Sequence, residues 1–450
     1  MGSAVLAVVA ACALPAAAGA AWKPIGTSGQ LNVSDAIGTA RTGDGVLHVG
    51  WFRLVPPAGY DVLQTPITAT GAIRPPVPIV TGWASAEGPT LLAQGSTLQA
   101  FWSGSRTTVT GDPTEGVDQA TSPDAGATWA ISPSAIATGD FASSRDASVV
   151  ASGATLLQSW YAAQETVVHA GSDPAVPAQR GYGSGTDQAL AGSASGQVVA
   201  AWCTGVQGPN GVFVQGVDPA TGAPLGAAAL MPGSTAVVGG AAASFCPANT
   251  RVPLVARSNG GFYVLSTDGN RRAVRLWPYG AARSTTVSAG STTKQQLALA
   301  GDPKGRLWAG WIEDDELVLR RSCDKPGSLS FGPAVRLPLP SGKTVYQLDL
   351  AAQADRVDAI ARGSDGTTVS LLHTQAYPGL TLRATGGRRA AFTVTDACRP
   401  VAGARIAVAG RVLTTNADGE ASVDLRRGRF TATASKRHYV AATATVRLTS

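Results

Sequence analysis

Seven short apolar segments recur along this chain at intervals of roughly fifty residues, and five of them close on tryptophan. They are LHVGW (47–51), LQAFW (98–102), LLQSW (156–160), VVAAW (198–202) and LWAGW (307–311), with VPLVA (252–256) and VDAIA (357–361) as weaker copies. A unit of this length cannot bury an apolar face alone, so repeats of it must pack on one another. The hydrophobic fraction of 44% excludes disorder, and 54 Gly and 28 Pro with only 14% charged residues suit short strands joined by tight turns. The expected fold class is all-β: a β-propeller of four-stranded antiparallel units, seven blades by this count, whose ring hides most strand edges.

Turn signals fall in phase with these strands. The fullest is Ser122-Pro123-Asp124-Ala125-Gly126-Ala127-Thr128-Trp129, where short Asp and Ser side chains can bond nearby amides, Gly126 can take φ > 0, and Trp129 can plug the blade core. It matches S-x-D-x-G-x-T-W at every fixed position and resembles the Asp box of sialidase (BNR) type propellers. The resemblance implies a structural box (Ser122, Asp124, Gly126, Thr128 and Trp129) on the rim opposite the ligand-binding face, and six blades as the alternative count. Weaker versions stand at Ser172-Asp173-Pro174, Asp218-Pro219-Ala220-Thr221-Gly222, Ser266-Thr267-Asp268-Gly269 and Ser322-Cys323-Asp324. Removing the indole of Trp129 is expected to cost ~3–5 kcal/mol, as for a buried aromatic. The strand-like segment 23–27 is expected to complete the last blade, which otherwise stops after 369–373.

Residues 1–20 read as a signal peptide, an Ala/Val-rich run ending in Ala18-Gly19-Ala20. The protein is therefore expected to be secreted, with lipid anchoring at Cys12 as the minor alternative and no later membrane span. Export makes disulfides favourable, and proximity pairs Cys203 with Cys246, leaving Cys323 with Cys398. No zinc spacing occurs, so neither metal nor cofactor is expected.

The propeller is expected to span 22–378. From 380 to 450 the texture changes, with PVAGARI (400–406), the turn Asn416-Ala417-Asp418-Gly419 and GRFTATA (428–434). This segment resembles the immunoglobulin-like and carboxypeptidase-regulatory-like β-sandwiches of secreted bacterial proteins. It holds twelve Arg or Lys against four Asp or Glu, a net of +8, so the rest of the chain sums to −2 against the total of +6. The basic excess suits either a solvated surface or an anionic cell-wall polymer as partner.

Sialidase chemistry would need three Arg converging on a carboxylate, a Tyr activated by Glu and an Asp acid/base. The family's F-R-I-P signature is missing; Arg74-Pro75-Pro76 is the nearest fragment, and Arg53, Arg106, Arg145 and Arg180 are scattered. Catalytic residues thus stay unassigned. Glu313-Asp314-Asp315-Glu316 reads as a hairpin turn, and His48, His169, His373 and His438 as isolated packed or surface residues. No nucleic-acid signature is present, and a monomer is expected. The reading that follows is a non-catalytic binding protein for extracellular glycans or a protein partner, with Trp22, Tyr60, Trp83, Tyr161, Tyr182 and Tyr279 as aromatics free to stack on sugars. The alternative is a diverged sialidase-like hydrolase.

Overall fold

The computed structural model describes residues 21–28, 37–57, 59–109, 111–112, 114–137, 147–162, 165–173, 175–183, 185–204, 210–235, 251–325 and 329–449. The expectations for the segment 1–20, Cys12, Arg145 and Cys246 lie outside them. The described residues contain strands and turns and no helix, so none that could cross a membrane.

Seven antiparallel sheets follow one another along the chain before residue 377. Their first strands are Gly38–Arg41, Ser85–Gln94, Ser148–Ser152, Thr186–Gly192, Leu254–Ala256, Gln295–Gly301 and Thr344–Ala352. Each of these touches the next, and Thr344–Ala352 touches Gly38–Arg41, so they line the inside of a closed ring. This is a β-propeller. Among the described residues the third sheet has three strands, with a single bridge from Val168 to Gln179 where a fourth would pair.

The tryptophan-ended segments are the second strands of their sheets, and their rings form the packing between neighbours. Trp51, Trp102, Trp160, Trp202 and Trp311 are all buried. Trp102 meets Trp83 of the preceding sheet edge-on at 5.2 Å, and Trp202 stacks on Phe213 at 6.1 Å. The fifth unit corrects the repeat as read from sequence. There VPLVA runs into the inner strand Leu254–Ala256, whereas the second strand is Phe262–Thr267, which lacks a closing tryptophan.

Lys23–Ser28 pairs antiparallel with Val369–Ala376, Lys23 opposite His373 and Ser28 opposite Val369, and so becomes the fourth strand of the last sheet. Gly26 is required there, because a Cβ would meet the Trp51 ring at 2.7 Å.

Residues after 380 form two facing sheets. One holds Thr381–Thr385, Ala390–Asp396, Arg399–Pro400 and Glu420–Val423; the other holds Arg411–Thr414, Arg405–Val408, Gly428–Ser435 and Ala442–Leu448. Phe392, Val394, Ile406, Ala432 and Val446 fill the space between them. This sandwich is fixed to the propeller. Cys323 is disulfide-bonded to Cys398 with Cα atoms 5.3 Å apart, Arg306 and Arg321 both pair with Asp396, and Arg399 pairs with Asp324. Tyr377 stacks on His438 at 5.0 Å, and backbone bonds tie Leu380 and Pro378 to Val440.

Candidate functional site

The box-like turn 122–129 marks one rim of the ring. Ser122 Oγ donates to Asp124 (2.8 Å) and accepts from Gly126 N (2.8 Å), while Asp124 accepts from Thr128 N (2.9 Å) and Thr128 Oγ1 (2.7 Å). Ala125 and Gly126 both have positive φ, and a Cβ at Gly126 would crowd Gln64 Nε2 at 2.6 Å. These bonds hold the Asp124 carboxyl down at about 2, the Thr128 hydroxyl contributing most. Trp129 departs from expectation: it is only partly buried and packs on the edge of the core formed by Val62, Trp83 and Trp102. Its fourth strand, Ala130–Ile131, is too short to draw the ring inward.

The box turn lies between the third and fourth strands and bonds, through Ala125 N, the carbonyl of Ser96 at the end of the inner strand (2.9 Å). The turns at Asp218–Gly222 and after Ser322 occupy the same place in their sheets. Ser266–Gly269 does not, since it joins the second and third strands and therefore faces the opposite rim.

The inner strands enclose a central channel in two parts. The part near the box rim, about 630 Å³, is lined by Arg41, Arg257, Asp302 and the last residues of the inner strands. The other, about 220 Å³, is lined by Thr39, Thr90, Ser148, Arg251, Gln296, Gln347 and Asp349, from six of the seven sheets or the segments leading into them, and lies toward the rim opposite the box.

Bulges build this upper part. Register slips occur at Glu87/Thr90, Thr186/Ala189, Gln295/Ala298 and Val345/Gln347, all in the opening half of an inner strand. A bulge leaves one residue unpaired and can re-aim its side chain; of the unpaired residues here, Gln296 and Leu297 line the channel. Two bulge residues, Asp187 and Gln296, take left-handed φ of 57° and 49°. The Gln296 Oε1 atom is buried and accepts no bond from the protein.

Charge in the upper part is sparse. Asp349 accepts bonds from Thr39 Oγ1 (2.6 Å) and Leu350 N (2.8 Å), yet burial raises its pKa above the ordinary carboxylate value. Burial also pushes Asp187 up to about 7. Arg251 donates to Thr90 Oγ1 and to the Ala147 carbonyl, which fixes its guanidinium beside the channel. Such an arrangement offers hydroxyl, amide and carboxyl groups for hydrogen bonding to a polar ligand, with one fixed cation.

The residues singled out from sequence lie elsewhere. Arg53 pairs with Asp61, Arg106 stands over the Trp83 ring at 5.7 Å and Arg180 pairs with Glu165. Arg53 lies near the end of a second strand, and none of the three lines the channel. Trp83 and Tyr182 belong to the packing core, Tyr182 donating to the Gly222 carbonyl; Trp22, Tyr60, Tyr161 and Tyr279 are half-buried at the sheets' edges or unexposed ends. None of the six lines the channel. Asp314 and Asp315 both have positive φ, which makes their acidic run a hairpin turn, and Glu313 is taken by buried Lys294 at 2.9 Å. His48 bonds Thr42 and Gln64, and His373 bonds Asp358 at 2.8 Å. Cys323, Asp324 and Cys398 bring three metal-binding residue types together, but the sulfurs are joined to each other. Cys203 is disulfide-bonded as well, and its expected partner Cys246 lies outside the described residues.

No protein-family model and no curated protein matches the chain. Solved structures similar to it include YCF48 bound to a D1 peptide, 13% identical, covering 79% of this chain and 95% of that one, with a TM-score of 0.45. Another is an α-L-arabinanase of Penicillium chrysogenum complexed with arabinobiose, 12% identical, covering 78% and 96%, TM-score 0.42. A third is the polysaccharide lyase Uly1, 11% identical, covering 76% and 89%, TM-score 0.42.

Proposed function

We propose that this is a secreted, non-catalytic binding protein whose propeller takes a glycan at the channel mouth opposite the Asp-box rim. The observation that carries the reading is the upper channel lining, in which Thr39, Thr90, Gln347 and the bulge residue Gln296 stand beside the fixed cation Arg251. Polyhydroxylated ligands are held by such hydroxyl and amide groups, and binding surfaces commonly sit at the mouths of rings of this kind. The remaining parts of the reading accompany it. Segment 1–20 is the leader, 22–378 a seven-bladed propeller with a BNR-type box, and 380–450 an immunoglobulin-like sandwich. Among the described residues the upper mouth presents a single arginine and no Tyr–Glu pair, which favours binding over sialidase chemistry.

The second reading, a diverged glycoside hydrolase, is favoured by Asp349 in the channel lining and Asp187 in the bulge that opens the fourth inner strand, two carboxyls whose pKa values are both raised. The mature chain, tested on a glycan array and on purified wall polysaccharides, is expected to retain at least one glycan and release no sugar from it. Gln296→Ala should weaken that retention. Sugar release that Asp349→Asn abolishes would replace the binding reading with the hydrolase, and no retention on any glycan would remove both.

A further inference from the structure

The tail sandwich carries a cluster of arginines at the end farthest from the propeller. The near end is set by the join: Asp396, Cys398 and Arg399 lie in the turn after Ala390–Asp396, and His438 and Val440 lie in the turn between Gly428–Ser435 and Ala442–Leu448. The opposite ends of these same strands hold Arg388, Arg389, Arg426, Arg427, Arg429 and Arg447. Arg429 stands directly across from Arg447 in the ladder, and Ala390 across from Val423 brings the Arg388-Arg389 turn beside the Arg426-Arg427 turn. A Cβ on Gly386 would strike the Arg447 carbonyl, so all three edges meet at one tip.

All six side chains are exposed. Among the described residues the acid beside them is Asp424, 82% exposed and 3.7 Å from Arg389. Like charges placed directly opposite on a ladder repel, so the Arg429/Arg447 pair weakens the fold unless an anion lies over it. Among the described residues no large apolar side chain is exposed at this tip: Leu425 and Phe430 pack partly on the sandwich core. Membrane insertion would use such groups. Base recognition would use exposed aromatics, and none stands there among the described residues.

We propose that this tip is a second binding site, independent of the channel, for a linear phosphodiester polymer without bases. Guanidinium forks pair with phosphate oxygens two at a time, and arginine is better suited to this than lysine. The disulfide and the ion pairs to Asp396 hold the tip pointing away from the ring, so both sites can be occupied together.

The test uses the full oxidised chain and immobilised synthetic poly(glycerol phosphate), with dextran, single-stranded DNA of equal charge and phosphatidylglycerol vesicles as parallel surfaces. Binding to poly(glycerol phosphate) that falls steeply with added salt is expected. Arg427→Gln, Arg429→Gln and Arg447→Gln combined should weaken it about tenfold or more through lost counterion release, with Tm not lowered, because all three are exposed and the Arg429/Arg447 repulsion is relieved. Gln296→Ala should leave it unaltered, which separates this site from the channel. Unchanged affinity in the triple variant would overturn the proposal. So would tighter binding to DNA, or binding to vesicles without binding to the poly(glycerol phosphate) surface.

Discussion

Arg321 of the sixth sheet and Asp396 of the tail sandwich form an ion pair across the join, their side chains 2% and 3% exposed. Arg306 reaches the same carboxylate at 2.5 Å. Taking away the acid leaves buried Arg321 without its anion and Arg306 with only Asp324 at 3.9 Å, and breaking a buried pair in this way typically costs ~3–5 kcal/mol. Asp396→Asn is therefore expected to undock the sandwich, seen as a lowered Tm and new proteolytic cleavage near 377–380. If scanning calorimetry found the variant as stable as the parent, the join would owe its rigidity to the Cys323–Cys398 bond, the Arg399–Asp324 pair and the backbone bonds to Val440 rather than to Asp396.

Asp118 should make stability fall as pH rises. Its two carboxyl oxygens are buried and unpartnered, and burial pushes its pKa up to about 9. A carboxyl with a raised folded pKa keeps a proton that the unfolded chain has already released, so the folded state loses ground from about pH 4 up to about pH 9. Asp118→Asn removes the titrating group and is expected to flatten Tm against pH through this window. Parallel curves for parent and variant would show that Asp118 finds a partner in solution.

Asp124 works in the opposite sense. Its pKa is held down at about 2 by Thr128 and Ser122, against the ordinary 3.8. The contribution is complete above about pH 4 and is lost as pH falls toward 2. Acid unfolding of Asp124→Asn should lack this component, and an identical acid profile in the two proteins would detach the carboxylate from the turn's stability.

The two tryptophans of the second sheet are not equivalent. Trp102 is fully buried against Trp83, so Trp102→Ala should cost ~3–5 kcal/mol in urea unfolding. Trp129 is only half enclosed, and its replacement should cost less than about 3 kcal/mol. An equal loss at both positions would mean that the box closes more tightly than its geometry indicates.

The ring could be read from sequence because its repeat rests on large side chains in second strands, where Trp51, Trp102, Trp160, Trp202 and Trp311 must fill the gaps between sheets. The reading slipped where that chemistry lapses: the fifth sheet uses Phe262 and Tyr263 and no terminal tryptophan, so the apolar inner strand beside them was counted instead. The channel was illegible for another reason. Thr39, Thr90, Arg251, Gln296 and Asp349 are ordinary polar residues spread over more than three hundred positions, and only ring closure and strand bulges make them neighbours. A Gln at the head of a strand carries no mark of the bulge that turns it inward. Of the aromatics free in sequence to stack on sugars, Trp83 and Tyr182 stand inside the packing, where a buried ring contributes more than on the surface.

Lys23–Ser28, the earliest strand, is an edge partner of Val369–Ala376, the last strand of the ring. The ring is thus a clasp whose two halves are separated by nearly the whole propeller. During synthesis the first half has nothing to fasten to until the second emerges, and contacts of such long range form late and slowly. A chain cut short before Val369 would be an open horseshoe with a free sheet edge and an uncovered apolar face at each end. Such a fragment is primed to fasten onto a second copy of itself.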